Sequence, residues 1–378
     1  MRNKKLLITI GLVAIVVIIL IVSILFTNKS GLQEQGMTIG AILPLTGNLS
    51  WLGANTQNGL NMALAHVNSM EEFKGIKFRI LYGDSKGDPK EAVAIANKFV
   101  SIDRVNCLMV LGTAMVNAVL PIADSSDIVM FGFTIHPGIT KKSKNLFRVY
   151  VSDDQEWTLL ADYINKSEMK AIGIFHINAE YGLDSRKALE AHLGTKVKVV
   201  YAEPYKIGES DFRNILTKVR DKRVDGIVLM GYGTEYVPLL RQMKEIGMQS
   251  KILGNVDFVY DFVKKEKSAE GAIFTAPAFS FGEFTPQGSK FIESFKKNFG
   301  REPAWDEAYS YDSILILAEA LRRTQLFSTE ALRSSLLDIK NFDGVSGKIS
   351  IQDDGDALTT IHLAYLKDGT IKKIEKLF

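Results

Sequence analysis

An alternation of short apolar runs with amphipathic helical patterns begins near Met37, and it limits the chain to a small set of α/β folds. Residues such as Ala92, Ala96 and Phe99 recur at spacings of three and four, which predicts helices between the runs. Asp88 followed by Pro89 predicts an N-cap and the first turn of one of these helices. The apolar runs predict strands at residues 38–45, 77–83, Cys107–Leu111 and Val129–Phe133.

The alternation starts again near Ala171, which predicts a second α/β unit. Strands that alternate with helices run parallel and are joined by right-handed crossovers, so each unit is expected to be a doubly wound, Rossmann-like lobe. The two units join near residues 147–153. Strands are predicted at Ala171–Ile177, Lys198–Tyr205, Gly226–Met230, 251–253 and 271–276, and helices at 154–164, 183–193, 211–220 and 235–246.

After Pro277 the pattern becomes mainly helical and then ends in strands at residues 348–351, 360–366 and 370–375. The turn KDGT at residues 367–370 predicts a hairpin between the last two strands. The helical stretch has too few strands for a separate domain, so we expect it on the first lobe and the hairpin on the second. Three crossings then join lobe 1 (37–150 with 278–344) to lobe 2 (151–277 with 345–378).

Residues 6–26 form an uncharged, mostly aliphatic run behind Arg2, Lys4 and Lys5. Roughly 20 apolar residues span a bilayer, whereas a cleavable signal has an apolar stretch of about 7–15. Basic flanks stay in the cytoplasm. We therefore expect one N-terminal transmembrane helix that anchors the protein to the outer face of the cell membrane, within a membrane segment and tether at residues 1–36. The alternative is a cleaved signal, which leaves a secreted or periplasmic protein.

Charge and cysteine content exclude several classes of protein. Of 46 basic and 43 acidic residues, four basic and one acidic precede Met37, so the remainder holds 42 of each and is neutral. A nucleic-acid-binding protein would carry a basic stripe or patch, so no nucleic-acid partner is expected. The chain has one cysteine, Cys107, which forbids an internal disulfide. We expect a monomer.

No catalytic or metal-ligating pattern is present in the sequence. The nucleophile motif G-x-S-x-G and the phosphate-binding Gly-rich Lys loop are both missing. Gly231 and Gly233 follow a predicted strand, but Tyr236 replaces the third glycine of the dinucleotide fingerprint. We therefore predict a protein that is not an enzyme, with no metal and no cofactor. The histidines, none of which pair at a metal-binding spacing, are His66, His136, His176, His192 and His362.

Several strings, taken in order, resemble the periplasmic binding proteins of the branched-chain amino-acid (Leu/Ile/Val) type. These proteins capture substrate for ABC importers. The resemblance spans about residues 37–365 and implies a type I binding-protein fold, in which two lobes close over a ligand in the cleft between them. It rests on IGAILPLTG (39–47), WLG (51–53), NGLNMA (58–63), YGDS (82–85), DPKEAVAIANK (88–98), EYG (180–182), DF (211–212) and LLRQ (239–242).

The resemblance implies ligand contacts from the first lobe. Thr113 is expected at a helix N-terminus, where its hydroxyl and the amide of Ala114 suit a carboxylate. Thr134 is similar to the family's second ligand segment, with its hydroxyl for carboxylate and its carbonyl for an ammonium. Trp51 is similar to the aromatic residue that covers the ligand's side chain. The structural alternatives are a plain helix cap for Thr113 and core packing for Trp51.

The second lobe is expected to supply two tyrosines and a carboxylate. Tyr181 is similar to the family's ligand-stacking tyrosine, with core packing as its alternative. Tyr232 follows a strand, where its ring suits an ammonium. The sequence has no Glu at the simplest equivalent of the family's acidic ammonium partner, so Asp257 is the nearest candidate, against a solvated helix cap. If Asp257 lies elsewhere, amides or carboxylic acids become better ligands, because a buried ammonium without a carboxylate is costly.

The expected function is therefore an extracytoplasmic substrate-binding protein that delivers a small polar ligand, most simply a branched-chain or related amino acid, to ABC permease and ATPase subunits. One alternative is a ligand-sensing ectodomain that signals through a separate receptor chain. Another is the same binding role with an amide or a small carboxylic acid as the ligand.

Overall fold

The structure is a computed structural model of the 378-residue chain, and it describes residues 35–74, 76–283, 285–324 and 328–375. The predicted membrane segment at residues 6–26 lies outside these ranges. None of the helices within them is long and apolar enough to cross a membrane.

The first sheet has five parallel strands in the order β2-β1-β3-β4-β5. Every residue of β3 and β4 is buried, so both faces of the sheet are covered, as a parallel sheet with crossover helices requires. The first four strands follow the predicted runs; the two-residue β5 was not predicted. The strands are β1 (Gln35–Leu43), β2 (Ile76–Asp84), β3 (Cys107–Leu111), β4 (Val129–Phe133) and β5 (Leu146–Phe147).

Three helices connect the first four strands: α1 (Ser50–Ser69), α2 (Pro89–Ser101) and α3 (Thr113–Ser125). The start of α2 confirms the predicted cap. The Asp88 carboxylate accepts hydrogen bonds from the backbone N–H groups of Lys90 and Glu91, at 2.7 and 3.4 Å, and Pro89 occupies the first turn. These bonds satisfy two of the donors that a helix start leaves free.

The second sheet has seven strands in the order β15-β14-β10-β9-β8-β6-β7. Strands β6 to β10 are parallel, and β14 and β15 are antiparallel additions at one edge. The strands are β6 (Ala171–Ile177), β7 (Lys198–Tyr205), β8 (Gly226–Met230), β9 (Lys251–Gly254), β10 (Ile273–Pro277), β14 (Ile361–Lys367) and β15 (Thr370–Lys373). The surrounding helices are α4 (Asp153–Lys166), α5 (Glu180–His192), α6 (Arg213–Arg220), α7 (Gly233–Glu245) and the short α8 (Asp261–Lys264).

The predicted hairpin between β14 and β15 is confirmed. Its central residues Asp368 and Gly369 both have positive φ, 50° and 68°, as a two-residue turn that follows the twist of the strands requires. The hairpin joins the second sheet because β14 pairs with β10, where Ile273 lies opposite Tyr365.

The helical stretch after β10 contains α9 (Pro286–Phe299), α10 (Trp305–Thr324) and α11 (Thr329–Leu337). Helix α10 packs against α1 at Gly59, where an added Cβ would lie 2.3 Å from the carbonyl oxygen of Glu307. Glycine is therefore required at this contact. On the same interface Asn58 donates a hydrogen bond to the Glu307 carboxylate at 3.2 Å. The stretch thus lies beside the first sheet.

A third, small sheet joins β11 (Phe342–Asp343), β12 (Lys348–Ile351) and β13 (Ala357–Leu358). It lies next to α10, where the Asp312 carboxylate accepts hydrogen bonds from the backbone N–H groups of Val345 and Ser346. The chain passes between the two large sheets three times: after β5, after β10 and before β14. The residue boundaries of the two lobes stay a proposal. Residues 348–358 were assigned to lobe 2, but β12 pairs with β11 and β13 and not with a strand of the second sheet.

Candidate ligand-binding site

A small cavity lies between the two large sheets, next to the carboxyl ends of β3, β4, β8 and β9. Ligands of open α/β sheets occupy this position. The centre of a water molecule can occupy about 40 Å³ of the cavity, so little free space is left. The lining residues are Leu52, Leu111, Gly112, Thr113, Phe133, Thr134, Ile135, Tyr150, Tyr181, Tyr232, Asp257 and Trp305.

The end of the cavity next to the first sheet carries neutral hydrogen-bonding groups. Gly112 has φ +100°, a conformation that glycine adopts without strain, and it turns the chain from β3 into α3. The hydroxyl oxygens of Thr113 and Thr134 lie 2.7 Å apart and are buried. The Thr134 hydroxyl also accepts a hydrogen bond from the backbone N–H of His136, at 3.2 Å. Helix α3 starts here without a side-chain cap, so its first N–H groups suit an anion.

The opposite end carries one carboxylate. Asp257 lies in the turn after β9, is 5% exposed, and accepts a hydrogen bond at 3.0 Å from the backbone N–H of Gly233. Burial raises its pKa well above the ordinary value, and the charges of Glu156 and Asp306 raise it further. No described cation forms an ion pair with it within 4.0 Å. A buried, unpaired carboxylate favours a cationic ligand group.

Four aromatic side chains surround this carboxylate end. The rings of Tyr181 and Tyr232 lie 5.7 Å apart, and the Tyr181 hydroxyl accepts a hydrogen bond from the Asn255 side chain at 2.7 Å. The rings of Tyr150 and Trp305 lie 4.8 Å apart, and the buried Tyr150 hydroxyl has no partner within the described part of the chain. Aromatic faces attract an ammonium. The sequence analysis missed Tyr150 and Trp305; the one hint was that Tyr150 lies in the predicted junction at 147–153.

Tyr236, which breaks the dinucleotide fingerprint, holds this end together. Its side chain is fully buried. Its hydroxyl accepts a hydrogen bond from the Gly231 N–H at 2.9 Å and lies 2.8 Å from the Asn255 side-chain oxygen. One tyrosine thereby ties the end of β8 to the end of β9, the two segments that carry Tyr232 and Asp257.

Two more buried carboxylates are close enough to Asp257 to raise its pKa. Glu156 accepts hydrogen bonds from the Val256 N–H at 2.8 Å and the Thr275 hydroxyl at 2.5 Å, which fixes the turn that carries Asp257. Burial raises the pKa of Glu156 to about 7. Burial, followed by the charge of Glu307, raises the pKa of Asp306 to about 8. The sequence analysis did not single out either residue, because acidic residues on helices are usually exposed to solvent.

Trp51 does not line the cavity; its neighbour Leu52 does. The Trp51 ring contacts Tyr260 and Phe262 edge-on, with centroids 5.0 and 5.8 Å apart. Ala114 is also absent from the lining. The structure therefore gathers five of the seven predicted residues around one cavity: Thr113, Thr134, Tyr181, Tyr232 and Asp257. Their roles toward a ligand stay predictions.

Polar contacts outside the cavity lining join the first-sheet side to the second-sheet side. Asn117 of α3 donates a hydrogen bond to Glu180 of α5 at 2.6 Å, and the His136 side chain lies 3.5 Å from the Asp184 carboxylate. The potential ligand atoms of His136, Glu180 and Asp184 lie within 4.8 Å of one another, close enough to hold a metal ion. Both carboxylates already have protein partners, Asn117 for Glu180 and Lys187 for Asp184.

Comparison with known proteins identifies the family. The model of the periplasmic binding protein family matches residues 36–370, so the chain belongs to that family. The family is one of substrate-binding proteins. An amino acid binding protein of Pseudomonas aeruginosa is 28% identical over 314 residues, which cover 79% of this chain and 83% of the relative. A Leu/Ile/Val-binding protein homolog of Brucella melitensis is 26% identical over 333 residues, 85% of this chain and 88% of the relative.

Solved structures share the fold. The branched-chain amino acid binding protein LivJ of Streptococcus pneumoniae, in complex with isoleucine, has a TM-score of 0.80 and 21% identity, and covers 89% of this chain and 98% of its own. A solute binding protein of Rhodopseudomonas palustris, in complex with 3,4-dihydroxybenzoic acid, has a TM-score of 0.81 and 19% identity. The match covers 90% of this chain and 96% of that protein's chain. The α/β binding-protein fold is therefore established, and such neighbours take chemically different ligands.

Proposed function

We propose that this protein captures an α-amino acid with an apolar side chain, as the extracytoplasmic substrate-binding protein of an ABC importer. The observation that carries the proposal is the polarity of one cavity. Thr113 and the start of α3 lie at one end, and the buried carboxylate of Asp257 lies at the other. An α-amino acid has one anionic and one cationic group, so it matches both ends.

The apolar residues of the lining support an apolar side chain. Leu52, Leu111, Phe133 and Ile135 line the cavity and offer no polar side-chain atom. A hydrophobic ligand group gains about 0.8 kcal/mol for each buried CH₂, whereas a polar group without a partner would lose free energy here. The names of the relatives that bind branched-chain amino acids agree with this choice.

The chemistry of Asp257 disfavours the main alternative ligand. A benzoate or another simple carboxylic acid has no cationic group, so it would leave the buried carboxylate unpaired or require that it stay protonated. The Rhodopseudomonas neighbour keeps this alternative open as a second candidate, because its fold binds an aromatic acid.

Three further parts of the proposal concern partners and place. The protein would act as a monomer outside the cytoplasm, deliver its ligand to permease and ATPase subunits, and be held to the membrane by residues 6–26. A sensor that signals through a receptor is the alternative role. Uptake of labelled amino acid by cells with and without this chain separates the two, since a pure sensor leaves uptake unchanged.

Calorimetric titration with three related probes tests the ligand. Leucine has both charged groups, 4-methylpentanoate lacks the ammonium, and 3-methylbutylamine lacks the carboxylate. We expect leucine to bind and each truncated probe to bind at least tenfold more weakly, because removing one partner of a buried charge pair costs about 2–5 kcal/mol. Benzoate serves as the aromatic-acid probe. If benzoate or 4-methylpentanoate binds as tightly as leucine, the proposed ligand class becomes a carboxylic acid and not an amino acid.

A further inference from the structure

We propose that Arg148 is a positioning residue that couples Thr134 in the cavity to the crossings between the lobes. Arg148 follows β5 on the first crossing, and its side chain is completely buried. It does not line the cavity. The proposal rests on the proposed function only for its ligand-binding consequence; the coupling to the crossings is testable without ligand.

All five N–H donors of the Arg148 guanidinium have acceptors. Nε and one N–H of Nη2 donate to the two carboxylate oxygens of Asp356, at 2.7 and 2.5 Å. The other N–H of Nη2 donates to the Ser152 hydroxyl at 2.9 Å. Nη1 donates to the carbonyl oxygens of His136 at 2.6 Å and Thr134 at 3.3 Å. Only the planar fork of arginine can serve these directions together, because lysine has three donors at one atom.

These acceptors lie on three separate parts of the chain. Ser152 lies on the first crossing just before α4, and Asp356 lies on the stretch that leads to β14 and the second sheet. The backbone strengthens the second link, because the Arg148 N–H donates to the Gly355 carbonyl at 3.0 Å. Thr134 and His136 belong to the segment after β4, which carries the cavity's second threonine. Arg148 therefore bonds at once to two crossings and to the ligand segment.

The carbonyl groups of the ligand segment, residues 134–136, accept hydrogen bonds from Arg148 and Asp153 on the first crossing. The Arg148 guanidinium donates to the carbonyl oxygens of Thr134 and His136, and the Asp153 N–H donates to the carbonyl oxygen of Ile135 at 2.7 Å. The Thr134 carbonyl keeps a second lone pair, so the ammonium role that the sequence analysis gave it stays a prediction. The Thr134 hydroxyl faces Thr113. The hydroxyl's position thus depends on where the guanidinium is held.

Closure of the lobes changes the backbone at crossings, so it moves the groups that fix Arg148. Contact between a ligand and Thr134 then favours the hinge arrangement in which all five bonds form. Because the two effects are thermodynamically linked, a perturbed hinge lowers the affinity for the ligand through Thr134.

A double-mutant cycle between Arg148→Lys and Thr134→Ala tests the coupling, with leucine as the probe. Arg148→Lys alone should weaken leucine binding about tenfold, within the range of coupling energies between contacting residues. In the Thr134→Ala background it should change affinity less than twofold, because the group through which it acts is gone. Equal losses in both backgrounds would reduce Arg148 to a structural residue and overturn the proposal.

Two comparisons keep the test independent of folding and of the ligand. Arg301→Lys is the control variant. It removes the same type of two-pronged pair between an arginine and a carboxylate, that of Arg301 with Glu307, outside the cavity lining, and it should leave the affinity for leucine unchanged.

The second comparison is made without ligand. Hydrogen exchange at the amides of His136 and Asp153 should be faster in Arg148→Lys than in the wild type; if that variant does not fold, Asp356→Asn takes its place. Unchanged exchange at both amides would refute the coupling, whereas failure of leucine to bind the wild type would refute only the proposed ligand.

Discussion

At the first-sheet end of the cavity, two threonine hydroxyls and the start of α3 offer neutral groups, and the hydroxyls already bond to each other. At the second-sheet end, Asp257 offers one buried carboxylate, which accepts a single hydrogen bond from the described residues. The first end loses little when no ligand is present, because its groups satisfy one another. The second end must hold a buried charge without a partner, or take up a proton, until a cation arrives. Under the proposed function, the carboxylate end would therefore set the ligand class and the hydroxyl end would add affinity.

Replacement of Asp257 should have the largest effect. Asp257→Asn keeps an oxygen for the Gly233 N–H but removes the charge, so leucine should bind more than tenfold more weakly, from a loss of about 2–5 kcal/mol. The free energy of unfolding without ligand should not fall, because the lost charge had no cation partner. Calorimetry and denaturant unfolding measure the two quantities.

Asp261→Asn is the matched control, because Asp261 is close in sequence but pairs at the surface with Lys264 and Lys265. Its leucine affinity should equal that of the wild type. If Asp257→Asn binds leucine as tightly as the wild type does, the carboxylate end does not recognise the ligand's charge and the proposed difference between the two ends is wrong.

The pH dependence of binding comes second. Burial raises the pKa of Asp257 in the unliganded protein, and an ammonium lowers it again in the complex. Between these two pKa values binding releases a proton, so affinity should rise with pH by up to about tenfold per pH unit and then level off above the raised value. Calorimetry across this range measures the slope.

The slope should disappear in Asp257→Asn and persist in Thr113→Ala, because only the carboxylate end titrates. Titrations in two buffers of different ionisation enthalpy report the released proton directly. A slope that survives in Asp257→Asn would assign the titration to Glu156 or Asp306 instead.

The hydroxyl end should respond less. Thr113→Ala should weaken leucine binding roughly five-fold, because a lost hydrogen bond costs about 1 kcal/mol and the backbone N–H groups of α3 remain. Thr140→Ala removes another buried hydroxyl, which has no partner among the described residues and lies outside the cavity. Thr140→Ala should therefore bind leucine normally. A loss in Thr113→Ala as large as that in Asp257→Asn would mean that both ends carry charge recognition.

The fold could be predicted from the sequence wherever a strand is a continuous apolar run of several residues. Cys107–Leu111, Val129–Phe133 and Gly226–Met230 were predicted with the bounds that the structure has, because each is a short apolar run buried on both faces. The two-residue strands, such as Leu146–Phe147, carry no periodic pattern and exist because neighbouring strands pair with them. The placement of residues 348–358 likewise depends on tertiary contacts.

The site could be predicted in part, for a related reason. Thr113, Thr134 and Tyr232 follow strands whose carboxyl ends meet at one cavity, so sequence position and resemblance locate them. Tyr150 and Trp305 come from a crossing and a distant helix, and no local pattern relates them to the cavity. Arg148 was also missed, because the sequence does not reveal that a charged side chain in a loop is completely buried.

The smallest effect concerns the aromatic residue that resemblance placed over the ligand. Trp51 contacts Tyr260 and Phe262 across the cleft, whereas Leu52 lines the cavity. Trp51→Phe should weaken the binding of leucine and of valine by the same factor of about two, because phenylalanine keeps part of an edge-on contact that contributes about 0.5–1.5 kcal/mol in all. This contact joins the two sides of the cleft rather than touching one ligand. Leu52→Ala should instead change the ratio of leucine to valine affinity. A changed ratio in Trp51→Phe would place that ring on the ligand's side chain after all.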